Sequence, residues 1–507
     1  MPPSSVIDGV ADTVIRARTA GHRWWTGAAA VLAAMAAASC AVGPDFKRPA
    51  TPSADRYTEG ALPAATVATD SAHGGAQQFA PGGELQRQWW TLFHSESLDR
   101  LIEQALRDSP TVASAQATLR QAQQNLAAER GLTWPNLSGQ LSVEREQFSG
   151  ASIGQPHAAI FTLYNASVNV SYTLDMFGGI RRQIEALQAQ VDNADFQLQA
   201  TYLTLTSNLA TTAIREASLR AQIRATEEIE KLQQDQLTIV ERRFNLGAVT
   251  KSDVLSQRTA LAQTRAGLPG LQRQLSQLRH QLALYAGRTP ESAGLPLFEL
   301  DGLELPLEVP VSVPSELVRQ RPDILSAEAL LHAANAQVGV ATANLYPQLT
   351  LTGNYGTQAV GFSKLFNSSS AAWGIGSGVV APIFNGGQLQ ANRRAAVAAF
   401  DAAAANYRQA VLTAFANVAD SLRALQTDAL ALQAQVEAQR QAREAFNMAS
   451  YQFNVGGTSY LTLLNAQQQL QQTRIAVVQA QADRFADTVA LFQALGGGWW
   501  NDNTRMQ

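Results

Sequence analysis

Cysteine and histidine, the side chains best suited to metal binding and nucleophilic chemistry, are rare in this chain. Its 507 residues include one cysteine, Cys40, and six histidines, at positions 22, 73, 94, 157, 280 and 332. No two of these residues have the short spacing at which proteins usually bind zinc. We therefore expect neither a metal site nor a cofactor. A single cysteine also excludes an internal disulfide.

The motifs of other chemistries are absent as well. The sequence has no phosphate-binding GxxxxGK[ST] loop and no GxSxG nucleophile elbow. Only 16% of the residues are charged and the net charge is −3, so there is no basic excess to neutralise nucleic-acid phosphates. We expect neither an enzyme nor a nucleic-acid-binding protein.

Cys40 lies at the end of a targeting segment. Arginines at positions 16, 18 and 23 precede an apolar run at residues 27–38, which is followed by Ser39 and Cys40. The run is too short to span a bilayer, which takes ~20 residues, but it is typical of a secretory signal. We interpret residues 1–39 as a lipoprotein signal peptide and Cys40 as an acylated, palmitate-bearing N-terminus. The alternative is an ordinary secretory signal with a cysteine there by chance.

A long internal repeat organises the rest of the chain. Pro110 and Pro135 are 25 residues apart, as are Pro322 and Pro347. The segment FNLG at residues 244–247 returns as FNVG at 453–456. A unit of this length is a duplicated half-molecule and not a solenoid repeat of 20–50 residues. Each half is predicted to contain a helix, two strands, a long helix, a turn and a second long helix.

The helices of each half are predicted from the helical spacing of their apolar residues and from the positions of proline and glycine. Residues 95–130 have a helical pattern and are predicted to form one helix. Residues 181–245 contain no proline or glycine, and a helix of that length is ~100 Å long. Residues 392–454 are equally unbroken. In the first half, Gly267 and Pro269 are predicted to interrupt the returning helix.

Between the helices the apolar residues alternate with small polar residues. This pattern predicts four strands of roughly ten residues. Strands of that length suit an outer-membrane β-barrel, although a soluble two-layer sheet with one wet face gives the same alternation. The secretion signal and the very long helices favour the barrel. Four strands cannot close a barrel in lipid, where eight are the usual minimum, so the barrel would have to be shared between chains. A trimer would give twelve strands.

Four segments resemble TolC-like outer-membrane factors. They are VGPDFKRP at residues 42–49, QWWTLF at 88–93, VPSELVRQRPDI at 313–324 and YLTLLNA at 460–466. The resemblance extends from about Cys40 to Gly498. It identifies the chain as a member of the lipoprotein branch, the outer-membrane channels of resistance-nodulation-division type efflux systems.

The resemblance implies a fold that is mainly α with a membrane β-barrel. Long α-helical hairpins form a periplasmic α-barrel, and four strands per chain enter a shared 12-stranded trimeric β-barrel. The protein would be a passive homotrimer, anchored by lipid in the bacterial outer membrane and extending into the periplasm. Its partners would be outer-membrane lipid, a periplasmic adaptor (membrane fusion) protein and an inner-membrane efflux transporter.

The resemblance also implies a gate at the start of the last helix. Leu461 would form its apolar ring, and Asn465 with Thr462 its polar part, where relatives often carry Asp. The alternative for Leu461 is simple coiled-coil packing, which is the interpretation we hold for Leu464. Asn in place of Asp removes the charge repulsion that three carboxylates in a narrow tube would have.

Two further features are expected at the helix ends. Asp253 matches a family position that joins neighbouring helices, and its partner would be Thr458. Because threonine is uncharged, an ionic lock is doubtful, and a hydrogen-bonded lock is the alternative. The turns at residues 244–251 and 453–460 would form the adaptor-docking tip. Their central residues are Gly247, Ala248, Gly456 and Gly457.

The resulting domain interpretation covers the whole chain. Its segments are the signal peptide (1–39), a lipidated arm (40–94), a first repeat (95–287, with strands at about 135–174 and a hairpin at 180–287), an equatorial linker (288–320), a second repeat (321–498, with strands at about 347–382 and a hairpin at 388–496) and a tail (499–507). A periplasmic adaptor would need a lipoyl-like β-domain in two halves around one hairpin, which the pattern does not favour. A structural coiled-coil lipoprotein is the other alternative.

Overall fold

The computed structural model describes residues 41–50, 56–149, 157–291 and 294–501. Cys40 lies outside these ranges. The chain divides into two compact units. Of the described residues, the sheet unit contains 41–48, 121–191 and 329–405, and the hairpin unit contains the remainder.

The sheet unit is built on four antiparallel strands. They are β2 (Asn136–Phe148), β3 (Ala159–Leu174), β5 (Gln348–Ala359) and β6 (Ala371–Val380), in that spatial order. Their lengths are 13, 16, 12 and 10 residues. The two strands of each half therefore pair with each other, and the halves join through β3 and β5.

The register gathers the apolar residues on one face of the sheet. Leu137 lies opposite Val170, and Val168 lies opposite Tyr355, which in turn pairs with Trp373. Cross-strand partners point to the same side of a sheet. These side chains are exposed, Trp373 at 72%. The alternate positions carry small polar residues such as Ser167 and Asn169. Within this chain the sheet thus has a bare apolar face and a polar one.

Two long helical hairpins complete the repeat. Hairpin one consists of α3 (Gly179–Asn245) and α4 (Lys251–Tyr285), and hairpin two of α7 (Gln388–Asn454) and α8 (Tyr460–Ala494). The first helix has 67 residues and the second 35 in both hairpins. The predicted order of helix, two strands, long helix and long helix is therefore confirmed. None of the helices in the described ranges has the length and apolar character needed to cross a membrane.

The single helix predicted over residues 95–130 is wrong. The structure has two helices, α1 (Glu96–Asp108) and α2 (Pro110–Gly131), divided at Ser109. Ser109 has an extended backbone, with φ −68° and ψ 124°, because the proline that follows disfavours the helical region for its predecessor. The second half repeats this break between α5 (Pro314–Gln320) and α6 (Pro322–Ala343).

The predicted interruption of the helix at Gly267 and Pro269 is also wrong. α4 continues through both residues. Proline inside a helix costs ~3 kcal/mol, but tertiary contacts decide most helical stability in proteins. Here Arg265 contacts Glu230 of α3 on one side of the proline, and Arg279 contacts Glu216 on the other, at 2.7 and 2.8 Å.

Part of the predicted N-terminal arm forms β1 (Gln78–Pro81), which pairs in parallel with β4 (Glu308–Val311) of the connecting segment. Four residues are too few to show an alternating pattern, so this pairing could not be predicted from the sequence.

Arg321 before α6 donates to both carboxylate oxygens of Asp323, at 3.0 and 2.7 Å, and to the Ala494 carbonyl at 2.6 Å. These contacts give the RPD segment at residues 321–323 a structural role.

Candidate functional site at the hairpin tips

The two hairpins turn with the same backbone geometry. Gly247 and Gly456 have φ of 74° and 78°, in the left-handed region that glycine adopts without a steric penalty. The next residue in each turn, Ala248 or Gly457, donates to a carbonyl five residues back, at 2.9 and 2.7 Å. A left-handed glycine followed by this hydrogen bond is characteristic of the Schellman motif, which satisfies carbonyl groups at the end of the helix.

The returning helices are capped at equivalent positions but with different side chains. The Thr250 hydroxyl accepts a hydrogen bond from the backbone N–H of Asp253, and the Asp253 carboxylate accepts from the Thr250 N–H at 2.8 Å. This reciprocal arrangement is a capping box. In hairpin two, the Ser459 hydroxyl accepts from the backbone N–H of Thr462 at 3.3 Å. The second cap therefore has no charge.

An apolar cluster joins the two hairpins near their turns. Its members come from all four long helices and are at most 8% exposed. The buried residues of this tip cluster are Leu237, Val240, Val254, Ala260, Leu261, Ala449, Phe453, Tyr460, Leu463 and Leu464. Burial of this much apolar surface fixes the two turns relative to each other.

A buried polar link crosses the tip cluster. The Tyr460 hydroxyl donates to Oε1 of Gln257, and Nε2 of Gln257 donates to the Gln233 carbonyl at 2.6 Å. Gln257 is fully buried. Burial, followed by the nearby Asp253 carboxylate, raises the pKa of Tyr460, so it stays a neutral donor. Because Gln257 bonds both α3 and α8, this link couples hairpin one to hairpin two.

Arg243 makes a second connection between the hairpins. Its guanidinium lies 4.7 Å from the centre of the Phe453 ring and donates to the Asn454 side chain at 3.0 Å. A cation over an aromatic face contributes roughly 0.5–1 kcal/mol at an exposed position. Neither Arg243 nor Gln257 could be predicted as a linking residue from the sequence, because neither residue type stands out in helices rich in Arg and Gln.

The residues predicted to form the gate share one exposed side of α8. Leu461 is 57% exposed, and Thr462 and Asn465 are also exposed. Leu464 is buried in the tip cluster, which agrees with its interpretation as a packing residue. The structure thus separates a packed side of α8 from a side that leaves Leu461 and Asn465 free to face another surface.

The pair predicted to lock the helices is not joined within this chain. The Asp253 carboxylate accepts from the backbone N–H and the hydroxyl of Thr250, both at 2.8 Å. Among the described residues no hydrogen bond connects Asp253 to Thr458. The hydrogen bonds of Asp253 within the chain are therefore those of a helix cap.

A groove lies between α4 and α8, close to Asp253 and to the exposed side of α8. It has a volume of about 330 Å³ and lies next to the exposed side chain of Leu255. Its lining consists of Ser252, Leu255, Ser256, Thr259, Ala260, Gln263, Leu464 and Gln468. None of these lining residues is charged. The groove offers hydroxyl, amide and apolar contacts to whatever binds it.

Farther from the turn, hairpin two contains a pair of carboxyl groups. Burial, a hydrogen bond with Asp487 and the charges of Asp487 and Asp483 raise the pKa of Asp428 to about 8. The buried guanidinium of Arg484 opposes this shift. Asp428 is therefore largely protonated at neutral pH. No group of three or more His, Cys, Asp and Glu residues in the described ranges has a metal-binding arrangement.

Comparisons with known proteins agree with this architecture. The family model described as outer membrane efflux protein matches residues 101–288 and 313–497. The pyoverdine export outer membrane protein OpmQ of Pseudomonas putida is 33% identical over 82% of this chain and 89% of its own length. The probable efflux pump outer membrane protein TtgC of the same species is 28% identical over 91% and 93%.

A solved structure shares the fold over nearly the whole chain. The outer-membrane channel OprN superposes with a TM-score of 0.82 at 29% identity, covering 91% of this chain and all of that one. This likeness confirms the predicted combination of an α-barrel and a β-barrel. The protein therefore belongs to the outer membrane efflux protein family and is an outer-membrane efflux channel of the TolC-like type.

Proposed function

We propose that this protein works as a homotrimer, a passive conduit without catalytic activity in a tripartite efflux pump. Small molecules would enter it from a periplasmic adaptor protein and an inner-membrane transporter and leave at the cell exterior. Each chain would supply four strands to a twelve-stranded barrel. The proposal rests on the structure of the sheet unit. The hairpin tips would supply the adaptor-docking surface and the constriction.

The observation that carries the proposal is a sheet with one bare apolar face and two open edges. β2 and β6 form the edges of the four-stranded sheet within this chain. In lipid, every backbone N–H and C=O group needs a partner, so an open edge is not tolerated. Pairing β2 of one copy with β6 of the next satisfies both edges, and three copies close a ring. The apolar face then meets lipid, and the polar face lines the lumen.

The tips supply the two functional surfaces of the conduit. The uncharged groove and the turns around Gly247 and Gly456 would receive the adaptor. Three copies of Leu461, Thr462 and Asn465 would form the periplasmic constriction. Their exposure on the unpacked side of α8 supports this placement.

Lipid anchoring at Cys40 completes the proposal. It is supported by the arginines, the apolar run and the small residues that precede Cys40 in the sequence. Cys40→Ser should abolish acyl labelling while the barrel keeps part of the protein in the membrane. Normal acyl labelling of this variant would show that the lipid is attached to another residue and that Cys40 is not the anchor.

Disulfide crosslinking tests the trimer at the strand edges. One cysteine replaces Ser138 on β2, and a second is scanned along residues 372–378 of β6 in otherwise wild-type protein. Oxidation in isolated outer membranes should give covalent dimers and trimers for the matching registers. The control pair Asn169→Cys and Asn354→Cys, which face each other across β3 and β5, should link only within one chain. An edge scan that yields monomers at every register would contradict the shared barrel.

A further inference from the structure

The first described residues are held firmly against the sheet unit. The backbone N–H of Val42 donates to the Phe177 carbonyl at 3.0 Å. Gly43 has φ +99°, and a Cβ at this position would lie 2.5 Å from the Cα of Gly339. Both glycines are therefore needed for this close approach of two backbones. Ala41 lies directly against Gly178, at the end of the loop that follows β3.

Arg182 of α3 holds the same segment from the side. Its guanidinium donates to the carbonyls of Val42 and Gly43 at 3.3 and 3.4 Å and to the Asp45 carboxylate at 2.6 Å. It also contacts Glu185 at 2.7 Å. The Arg182 side chain is only 6% exposed. A nearly buried guanidinium with this set of acceptors imposes one position on the chain.

α6 holds the other side of the segment. Nδ2 of Asn335 donates to the Pro44 carbonyl at 2.9 Å. The Phe46 ring stacks on His332 with centroids 4.3 Å apart, and His332 contacts Glu185 at 2.9 Å. We call residues 41–46 with these partners the clasp. The clasp fixes the position of residues 41–46 on the sheet unit.

A cavity opens next to this point in the sheet unit. Its volume is about 480 Å³, and Phe177 and Gly179 of its lining flank the Gly178 that Ala41 contacts. Trp134, Leu174 and Ile180 contribute apolar surface. The cavity lining therefore lies next to Ala41, the first described residue of the chain.

The polar part of the lining points to a neutral ligand. It contains amide and hydroxyl side chains and the carboxylates of Glu129 and Asp175, and none of the lining residues is a lysine or arginine. A phosphate group needs cationic or other donor-rich surroundings. The Asp175 carboxylate instead pairs with Arg181 at 3.3 Å and accepts from the backbone N–H groups of Ile180 and Arg181, so these donors are already engaged. Apolar walls with neutral hydrogen-bonding groups instead suit the ester groups and the first methylenes of a glyceride.

We propose that this cavity binds the acylated glyceride attached to Cys40. The inference rests on the proposed lipidation and adds a protein site for the lipid. The clasp delivers the modified residue to the cavity, so the lipid is held at one defined place beside the start of the strands. The acyl methylenes buried there stabilise the lipid in this position, and the remainder of the chains extends into the membrane.

Photocrosslinking with full-length protein tests the site. Cells are fed a palmitate analogue that carries a diazirine and an alkyne, and outer membranes are irradiated and analysed by peptide mass spectrometry. In acylated wild type we expect crosslinks to the cavity lining at residues 174–183. Ile180→Trp, which fills the cavity, should reduce these crosslinks to background with unchanged acylation. Gln190→Trp, with the same added bulk at an exposed position of α3, should retain them.

Two more variants keep the test decisive if Ile180→Trp does not fold. Arg182→Met opens the clasp and should shift the crosslinks away from residues 174–183. Cys40→Ser should remove them completely; their persistence would mean that a membrane phospholipid fills the cavity and would overturn the inference. Acylated wild type without crosslinks to the lining would overturn it too. Wild type that carries no acyl group would refute the lipidation itself, a separate and recognisable failure.

Discussion

Hairpin one and hairpin two have the same backbone but place their charges differently. Their helices are equal in length and their turns share the glycine and the cap. Around the first turn stand Arg243, Lys251, Asp253 and Arg258. Around the second, no charged residue occurs between Glu444 and Arg474. The two copies thus share the fold of the tip, whereas only the first has charged residues near its turn.

The two hairpins also differ in whether equivalent buried positions carry a charge. In hairpin one, the buried Glu216 contacts Arg220 and Arg279 at 2.9 and 2.8 Å. The residue 209 positions later is Leu425, also fully buried. A buried charge with its partners in one copy corresponds to an apolar residue in the other.

The carboxyl pair of hairpin two shows the reverse exchange. Asp428 and Asp487 correspond to Leu219 and Leu278 of hairpin one, at the same offset of 209. Hairpin one therefore compensates its buried charge with arginines, whereas hairpin two has a carboxyl group, Asp428, whose pKa is raised beside a second carboxylate. We infer that the uncharged tip of hairpin two is suited to a neutral constriction and that hairpin one supplies the charged, capped outer surface.

We expect the largest loss of export from changes to the left-handed glycine that both hairpin turns share. Gly247→Val and Gly456→Val each force a β-branched residue into the left-handed region, which costs roughly 1–2 kcal/mol or more. We expect both variants to lose most export in a strain lacking the wild-type gene, while trimers persist in the membrane. Gly267→Ala, inside α4 and away from the turn, is the control and should export like wild type, because its backbone is not left-handed and an added Cβ meets open space. Normal export from both valine variants would mean that the tip geometry is not used.

The buried link between the hairpins should have the next largest effect. Tyr460→Phe leaves Oε1 of Gln257 without its donor, and an unsatisfied buried polar group costs about 1–3 kcal/mol. We expect a lower melting temperature for this variant and for Gln257→Leu. The double variant should be no less stable than Gln257→Leu alone, because the two residues form one link. Tyr451→Phe, at a position 70% exposed, should melt like wild type; additive losses in the double variant would exclude the link.

We expect a smaller effect, a pH-dependent melting temperature, from Asp428 of hairpin two. The pKa of Asp428 is raised from 3.8 to about 8 in the folded protein. A raised folded pKa gives stability that is present at acidic pH and lost as the pH rises through about 8. Wild type should therefore melt at a lower temperature at pH 8 than at pH 5, and Asp428→Asn should flatten this dependence. Asp420→Asn, at an exposed position of α7, should leave it unchanged. A flat wild-type profile would contradict the raised pKa of Asp428.

The sequence predicted the repeat, the turns and the strands because each has a local signal. Gly247 and Gly456 end long runs without breakers, and the alternating residues around Val168 reveal the sheet. The break at Ser109 was missed because the apolar helical pattern continues across Pro110. The pairing of Asp428 with Asp487 had no local signal, since only the register of hairpin two brings together residues far apart in the chain. Gln257 is one of many glutamines, and its role depends on burial by α8.

Single-channel recording of Asn465→Asp tests most directly whether hairpin two forms the constriction. Wild-type trimers in planar bilayers should conduct without an acid-sensitive cation preference. In Asn465→Asp, three carboxylates near the axis should attract cations at neutral pH, and their mutual repulsion raises their pKa values, so acidification removes the preference. Ser256→Asp, the equivalent position in hairpin one, should behave like wild type. If Asn465→Asp leaves ion selectivity and its pH dependence unchanged, residue 465 does not line the constriction and the assignment of the gate to hairpin two is wrong.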